Sequence, residues 1–149
     1  MHKTFCAHWL IDDVDTAAKL ALFDSGELVE VEPDDVVIAA NVTNRSLFVL
    51  LEGAFKVLLP DHLGQGPGRT LGHRGPGDLI GDYSFVDDFQ PTVTVTASTS
   101  GLMLRLDHAL LRELLGKDPA LGSAVYRNML RYLVTRLRAQ DEELSCLMI

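Results

Sequence analysis

The sequence predicts a mainly β protein with flanking α-helices: a jelly roll, or double-stranded β-helix, between an N-terminal helix and a long C-terminal helix. Three observations lead to this fold class. Short segments that alternate apolar and polar residues, separated by turns, fill the middle of the chain. A helical apolar pattern precedes them, and a longer one follows. The chain has 149 residues, a length typical of one domain with one sizeable core, and we predict a single domain over residues 1–149.

The N-terminal segment, residues 1–26, is predicted to be helical. Its apolar residues between Val14 and Leu22 recur at helical spacing, and Ser25 and Gly26 end the pattern. The simplest expectation is a helix that packs on the side of a β domain.

The β-roll is predicted over residues 27–106, where the pattern changes to about eight short strands. The clearest of them lie at 28–32, 36–40, 46–51, 54–59, 69–73, 93–97 and 101–106. A glycine-rich loop is expected at 61–68. It lacks the Gly-Lys-Ser/Thr sequence that a nucleoside-triphosphate loop requires, so that kind of phosphate site is not indicated.

Two helices are predicted after the roll, over residues 107–141. Asp107 is suited to cap the first of them, and Gly116 to end it. Asp118-Pro119 is typical of the start of a longer helix, because an N-cap residue is followed by a first-turn proline. Residues 142–149 are predicted to form a short tail.

Composition and charge narrow the classes of function. The formal net charge of -8 disfavours a nucleic-acid partner, because nucleic-acid binding depends on clustered Lys and Arg. The longest apolar runs are about five residues, whereas a membrane span needs roughly twenty, and the N-terminus lacks the apolar region of a signal peptide. We therefore expect a cytoplasmic protein with no membrane partner. Cys6 and Cys146 form no Cys-x-x-Cys pair, and neither a disulfide nor a metal site is expected.

The most informative segment begins at Gly75. It reads Gly-Pro-Gly-Asp-Leu-Ile-Gly over residues 75–81, continues as Asp-Tyr-Ser over 82–84, and leads into the alternating strand at 93–97. A glycine-rich segment of this kind can point several backbone N–H groups into one hollow, which allows a protein to hold a phosphate without a dedicated cation.

This segment and the order of elements resemble a cyclic-nucleotide-binding domain of the catabolite-activator type, the Crp/Fnr-type sensor domain. The resemblance covers roughly residues 26–140. Residues 33–38 resemble the start of the roll in that family, and residues 47–53 resemble its central strand and glycine turn. Residues 75–81 are close to the usual lead-in to its phosphate-binding cassette. The resemblance is to the sensor domain without the DNA-binding domain of the family's transcription factors.

The resemblance implies a ligand site between the cassette and the C-terminal helix. Asp82 stands where the family typically has the Glu that binds the ribose 2′-hydroxyl, and Thr92 matches a hydroxyl that often contacts the phosphate. The backbone N–H groups that cradle the phosphate in the family match Gly81, Tyr83 and Ser84. The remaining predicted ligand-binding positions are Pro91 and Val93 at the end of the cassette, and Tyr132 and Arg136 as base-side or lid residues.

Pro91 departs from the family pattern, because by spacing it replaces the arginine that pairs with the cyclic phosphate. Proline has neither side-chain charge nor N–H. A charge-assisted hydrogen bond contributes roughly 1.5–3 kcal/mol, so the loss weakens phosphate binding by about one to several orders of magnitude. Four arginines are candidate substitutes: Arg69, Arg74, Arg131 and Arg136.

Simpler interpretations of these residues stay open. Gly77 and Gly81 can serve a tight turn alone, and Asp82 can be a helix N-cap. Asp87-Asp88 is expected to be a solvated acidic loop rather than a metal site. The histidines are expected in surface or turn positions, since none has ligand or catalytic spacing: His62, His73 and His108.

Two functional hypotheses follow. The first is a stand-alone regulatory or sensor module that binds a small anionic nucleotide-like ligand, with cyclic AMP, cyclic GMP or another cyclic nucleotide as candidates. The alternative is a degenerate domain that binds no ligand and acts in dimerisation or binds a protein partner. No nucleophile–base pair or catalytic motif indicates an enzyme, and too few residues follow Asp141 for a winged helix-turn-helix.

A homodimer through the C-terminal helix is also expected. In the family this helix pairs with its twin and covers the nucleotide base. The polar residue Asn128 would set the register of such a pair. The predicted seam is formed by Ala124, Val125, Asn128, Met129, Tyr132 and Leu133.

Overall fold

The computed structural model describes residues 1–61 and 68–148. In this part of the chain, eight strands form two antiparallel four-stranded sheets, preceded and followed by helices. The mainly β fold class is therefore confirmed. The predicted glycine-rich loop at 61–68, with His62, lies almost wholly outside the described residues.

The strands and helices follow the predicted order. The strands are β1 (Glu27–Val31), β2 (Val36–Ile38), β3 (Ser46–Glu52), β4 (Phe55–Leu59), β5 (Arg69–Arg74), β6 (Leu79–Ile80), β7 (Thr94–Ala97) and β8 (Gly101–Asp107). The helices are α1 (Lys3–Cys6), α2 (Thr16–Asp24), α3 (Asp82–Asp87), α4 (His108–Lys117) and α5 (Pro119–Leu147). A 3₁₀ turn, Trp9–Ile11, lies between α1 and α2, so the predicted N-terminal helix is divided into three pieces.

The first sheet has the strand order β1-β8-β3-β6, and the second has β2-β7-β4-β5. The short strand β6 was missed by the sequence analysis. It pairs with β3 through Phe48↔Ile80 and Val49↔Leu79. A strand of two residues is too short to show the alternation by which strands are predicted.

Strand β3 is buried on both of its faces, which explains why five apolar residues follow one another in it. Successive side chains of a strand point to opposite faces. Phe48 and Leu50 belong to a core between the two sheets, together with residues such as Phe55, Val57 and Val95. The opposite face of β3 belongs to a second core shared with the helices; its contribution is Leu47, Val49 and Leu51.

The start of α5 is anchored to the N-terminal segment. Asp118 caps the helix by accepting a hydrogen bond from the N–H of Leu121 at 3.2 Å. Asn128 is 3% exposed, and its Nδ2 donates to the carbonyls of Leu10 and Asp12, both at 3.0 Å. These bonds fix the angle at which α5 leaves the β-roll.

The predicted dimer seam is wrong for four of its residues. Ala124, Val125, Asn128 and Met129 are buried inside the protomer, where the apolar members of the set pack against the core or the N-terminal segment. This face of α5 is therefore not available to a second copy. The sequence pattern shows that the helix has an apolar face, but it does not show what covers that face.

The predicted end of α5 is also wrong. The helix continues past Asp141 to Leu147, so most of the predicted tail at 142–149 is helical. Residues 141–147 contain neither Gly nor Pro that would stop the helix. Within the described ranges, no helix combines the length and the apolar character needed to cross a membrane.

We expect the substitution Asn128→Ala to lower the free energy of unfolding by about 2–4 kcal/mol, because it removes the donor to the buried carbonyl of Leu10 and to the partly buried carbonyl of Asp12. Denaturant unfolding followed by circular dichroism measures the change. Ser123→Ala on the exposed side of the same helix is the control and should change stability by less than about 0.5 kcal/mol. Equal effects of the two substitutions would contradict this role of Asn128.

Candidate functional site

The cassette helix α3 begins at a position that only glycine fits. Gly81 precedes α3 with φ of 81°, in the left-handed region. A Cβ atom on it would lie 2.3 Å from the carbonyl oxygen of Ser46. Gly81 therefore lets the cassette approach the beginning of β3, and Asp82 becomes the first helical residue rather than the N-cap.

A cavity of about 400 Å³ lies between the cassette, the second sheet and α5. Its volume falls in the range of roughly 300–1,000 Å³ that is usual for small-molecule sites. The apolar part of its lining is formed by Ile38, Val57, Leu71, Leu79, Ile80, Val93 and Val95. The polar part of its lining consists of the polar groups of the cassette together with Arg74, Arg136 and Gln140.

Eight of the nine predicted ligand-binding residues line this one cavity. They are Gly81, Asp82, Tyr83, Ser84, Pro91, Thr92, Val93 and Arg136. The ninth, Tyr132, does not line it but a neighbouring cavity, beside Trp9 and Asn128. The cavity also includes Leu71 and Gln140, which the sequence does not indicate as ligand-binding residues, and Arg74, which it offers only as a substitute cation.

Asp82 holds a buried carboxylate at the cavity. The residue is 6% exposed, and no hydrogen-bond partner among the described residues reaches its Oδ2. Burial raises the pKa of Asp82, while backbone N–H groups and the charges of Arg136 and Arg74 oppose the rise. A buried acceptor without a partner is costly for a protein.

The rest of the cassette is held by its own hydrogen bonds. The Ser84 hydroxyl donates to the carbonyl of Phe89 at 3.0 Å, so its hydrogen is used within the cassette. The carbonyl of Pro91 accepts from the N–H of Asn41 at 2.8 Å, which fixes the end of the cassette to the chain after β2. Thr92 is exposed at the margin of the cavity.

Arg136 extends from α5 to the cavity and contacts the rings of Tyr83 and Tyr132, which together with Trp9 form an aromatic column. Its guanidinium carbon lies 5.8 Å from the ring centroid of Tyr83 and 5.6 Å from that of Tyr132. Tyr132 in turn stacks on Trp9, with ring centroids 4.4 Å apart and an interplanar angle of 14°. Tyr132 thus positions Arg136 instead of lining the cavity itself.

The base of this column is tied to the lead-in of the cassette. Trp9 Nε1 and His8 Nε2 both donate to the carbonyl of Gly77, each at 2.8 Å. His8 Nδ1 accepts from the N–H of Leu10, and burial lowers the pKa of His8. Nothing in the local pattern of residues 8 and 9 indicates these long-range contacts, so the sequence analysis missed them.

Helix α4 supplies two further positioning residues. His108 is buried and its Nε2 donates to the carbonyl of Gly81 at 3.2 Å, which corrects the expected surface or turn position. Arg112 donates to the carbonyl of Phe85 at 2.7 Å and pairs with Asp88 at 2.9 Å. His108 therefore holds the start of the cassette helix, and Arg112 holds its end. His73, by contrast, is exposed as expected.

Comparison with known proteins identifies the family of the fold. The sequence model of the family described as Cyclic nucleotide-binding domain matches residues 28–118. The chain belongs to this family. The resemblance to a cyclic-nucleotide-binding domain is thereby confirmed, and the cassette at 81–92 lies inside the matched region.

Relatives of this cyclic nucleotide-binding domain include sensor and effector proteins. It is 27% identical, over 125 residues, to the Pycsar effector protein BcPycTIR of Burkholderia cepacia; the match covers 83% of this chain and 38% of the effector. Among solved structures, it is similar to the N-terminal domain of a transcriptional regulator from Streptomyces coelicolor, with 26% identity, a TM-score of 0.76 and coverage of 92% and 94% of the two chains. The catabolite activator protein of Thermus thermophilus has the same fold, with 20% identity, a TM-score of 0.77 and coverage of 93% and 62%.

We expect Asp82→Asn to raise the free energy of unfolding at pH 7 by roughly 0.5–2 kcal/mol, because it removes a buried, incompletely paired charge. Below the ordinary pKa of 3.8, the carboxyl group is protonated in both the folded and the unfolded protein, so the advantage of the variant disappears. As the pH rises through that value, only the unfolded state ionises, and the wild type loses stability until the raised folded pKa is passed.

Denaturant unfolding between pH 3 and pH 8 measures this difference. The control is Asp24→Asn, which changes an exposed carboxylate. Its stability should depend on pH in the same way as that of the wild type. A destabilised Asp82→Asn variant would show that the carboxylate has a structural partner and would remove the argument that it is kept for a ligand.

Proposed function

We propose that this cyclic nucleotide-binding domain is a regulatory sensor that binds a small anionic nucleotide-like ligand between the cassette and α5. The observation that carries this proposal is the buried Asp82 carboxylate with an unpartnered oxygen at the cavity. A protein that used the fold only as a scaffold would gain stability by replacing that group. We further propose that the domain itself is not catalytic, acts in the cytoplasm and does not bind nucleic acid.

The walls of the cavity support a nucleotide-like ligand. The apolar side chains of β4, β5 and β7 can contact a flat base, while Asp82 can accept a hydrogen bond from a sugar hydroxyl. The similarity to the Pycsar effector supports a role for the domain in regulation. Because the match covers only 38% of that effector, it supports the domain and not the rest of the effector's activity.

A ligand in this cavity would act on the position of α5. Arg136 and Gln140 of α5 line the same cavity as the cassette, so an occupied cavity favours helix positions in which these residues contact the ligand. Binding then shifts the population between two placements of the helix.

Isothermal titration calorimetry with the wild-type protein tests the ligand class. The panel consists of the 3′,5′-cyclic monophosphates of adenosine, guanosine, cytidine and uridine, together with cyclic dinucleotides. Binding of at least one compound is expected. The nucleotide proposal fails if none produces heat at protein concentrations that detect high-micromolar dissociation constants.

We expect Pro91→Arg to increase the affinity for cyclic mononucleotides by about tenfold or more, because it restores a bidentate cation beside the cassette. Calorimetry against the same panel measures the gain. Gln90→Arg is the matched control, since it adds the same charge at an exposed neighbour that does not line the cavity. If both substitutions increase affinity equally, the gain comes from net charge and the position of Pro91 is not special.

The alternative function is an interaction module without a ligand. It is favoured by Pro91 and by an apolar stripe on the exposed side of α5. The stripe consists of Leu130 (63% exposed), Val134 (46%), Leu137 (58%) and Leu144 (57%). Because these residues are spaced by four, three and seven positions, they resemble the seam of a two-stranded coiled coil. We propose this stripe, rather than the predicted seam, as the surface of a homodimer.

We expect the double substitution Leu130→Glu and Leu137→Glu to convert the dimer into a monomer, because it places like charges on both sides of the seam. Sedimentation equilibrium measures the mass, and Leu20→Glu, at an exposed leucine of α2, is the control. A monomeric wild-type protein at about 100 μM would contradict the dimer, since obligate interfaces hold far below that concentration.

A further inference from the structure

We propose that the charged group of the ligand binds to two arginines outside the cassette, Arg74 of β5 and Arg136 of α5. These residues replace the arginine that the family has at the position of Pro91. The inference rests on the proposed function and deepens it, because it names the groups that recognise the anion and the chemistry of the ligand.

The placement of the two arginines is the first argument. Both line the cavity, Arg74 from the second sheet and Arg136 from the last helix. Both also act on Asp82, whose pKa they lower against the dominant effect of burial. They therefore lie on the polar side of the cavity, within electrostatic reach of the same carboxylate.

Their lack of ion pairs is the second argument. Within residues 1–61 and 68–148, no carboxylate oxygen lies within 4 Å of either guanidinium, whereas three other arginines have such partners: Arg105, Arg112 and Arg127. Arg74 donates one hydrogen bond, to the carbonyl of His73 at 2.9 Å. A guanidinium has five N–H donors, so both side chains keep donors for an anion.

Arg136 is also held in place before any ligand arrives. Its guanidinium lies over the rings of Tyr83 on the cassette and Tyr132 on α5, and cation–π contacts of this kind restrict the side chain. A side chain that is already restricted loses less conformational entropy on binding. The aromatic column thus prepares a cation at the cavity that Pro91 also lines.

The other two candidate cations are placed elsewhere. Arg69 is exposed at the far end of β5 and does not line the cavity. Arg131 lines the neighbouring cavity beside Trp9. Of the four arginines that the sequence offered as substitutes, the structure brings only Arg74 and Arg136 to the cavity.

The charges and the acceptor at the site define the chemical class of the ligand. Two guanidinium groups at one cavity favour an anionic group on the ligand, and a phosphate can accept their N–H donors in bidentate pairs. The unpartnered Oδ2 of Asp82 favours a ligand that also carries a hydroxyl or N–H donor. The class is therefore a phosphate ester with a free hydroxyl group; a neutral nucleoside would leave both arginines unpaired.

The experiment compares Arg74→Gln, Arg136→Gln and Arg136→Lys with the wild type. Arg138→Gln is the matched control, because Arg138 is exposed on the same helix and does not line the cavity. Calorimetry uses the four cyclic mononucleotides, their parent nucleosides and inorganic pyrophosphate. Thermal unfolding verifies that every variant is folded.

We expect each Gln variant to weaken binding of the cyclic mononucleotide by at least about tenfold, because each variant removes one charge-assisted contact with the ligand. Arg136→Lys should lose less, and Arg138→Gln should change binding by less than twofold. The parent nucleosides should bind more weakly than their phosphates. Adding Pro91→Arg to the Arg74→Gln variant should recover affinity.

The outcomes separate this inference from the proposed function. Cyclic mononucleotide binding that neither Gln variant changes would overturn the inference and leave the proposed function standing. Pyrophosphate binding that both variants abolish, without binding of any nucleotide, would support the anion site and overturn the nucleotide proposal. A wild-type protein that binds neither pyrophosphate nor any nucleotide would overturn both.

Discussion

The burial of β3 on both of its faces is the constraint on which the rest of the structure depends. Its side chains alternate between the core that joins the sheets and the core that joins the roll to the helices. The first residue of the same strand, Ser46, presents the carbonyl that excludes any side chain at Gly81. One strand therefore unites the two layers and also fixes where the cassette helix begins, so the cavity is a direct consequence of how the core is packed.

The features that could be predicted from the sequence are those determined by residues close together in the chain. The turn at 75–81, the caps Asp107 and Asp118, and the alternating strands all depend on neighbouring residues, and the structure has them. The contacts that order the site join residues far apart in the chain. Gly77 accepts from His8 and Trp9, and Gly81 accepts from His108; a single sequence contains no signal for such pairs.

The same distinction explains the errors on α5. The sequence shows the apolar residues of α5 and the residue that caps its start. It does not show that these apolar residues lie on two faces of the helix with different surroundings. One face is covered by the N-terminal segment through Asn128, and the other carries the exposed stripe that includes Leu137. Periodicity reveals that a helix is amphipathic, whereas only the packing of distant segments shows which apolar face is left for another molecule.

The stacking of Trp9 on Tyr132 has a consequence for how fragments of such proteins are chosen. The region that matches the family ends at residue 118 and begins at residue 28, so it contains neither ring of this pair nor Arg136. A fragment cut at those limits would keep the cassette and the apolar wall of the cavity but lose the side that carries the helix-borne cation. Ligand screening on a minimal domain would then describe a different receptor from the one that the whole chain forms.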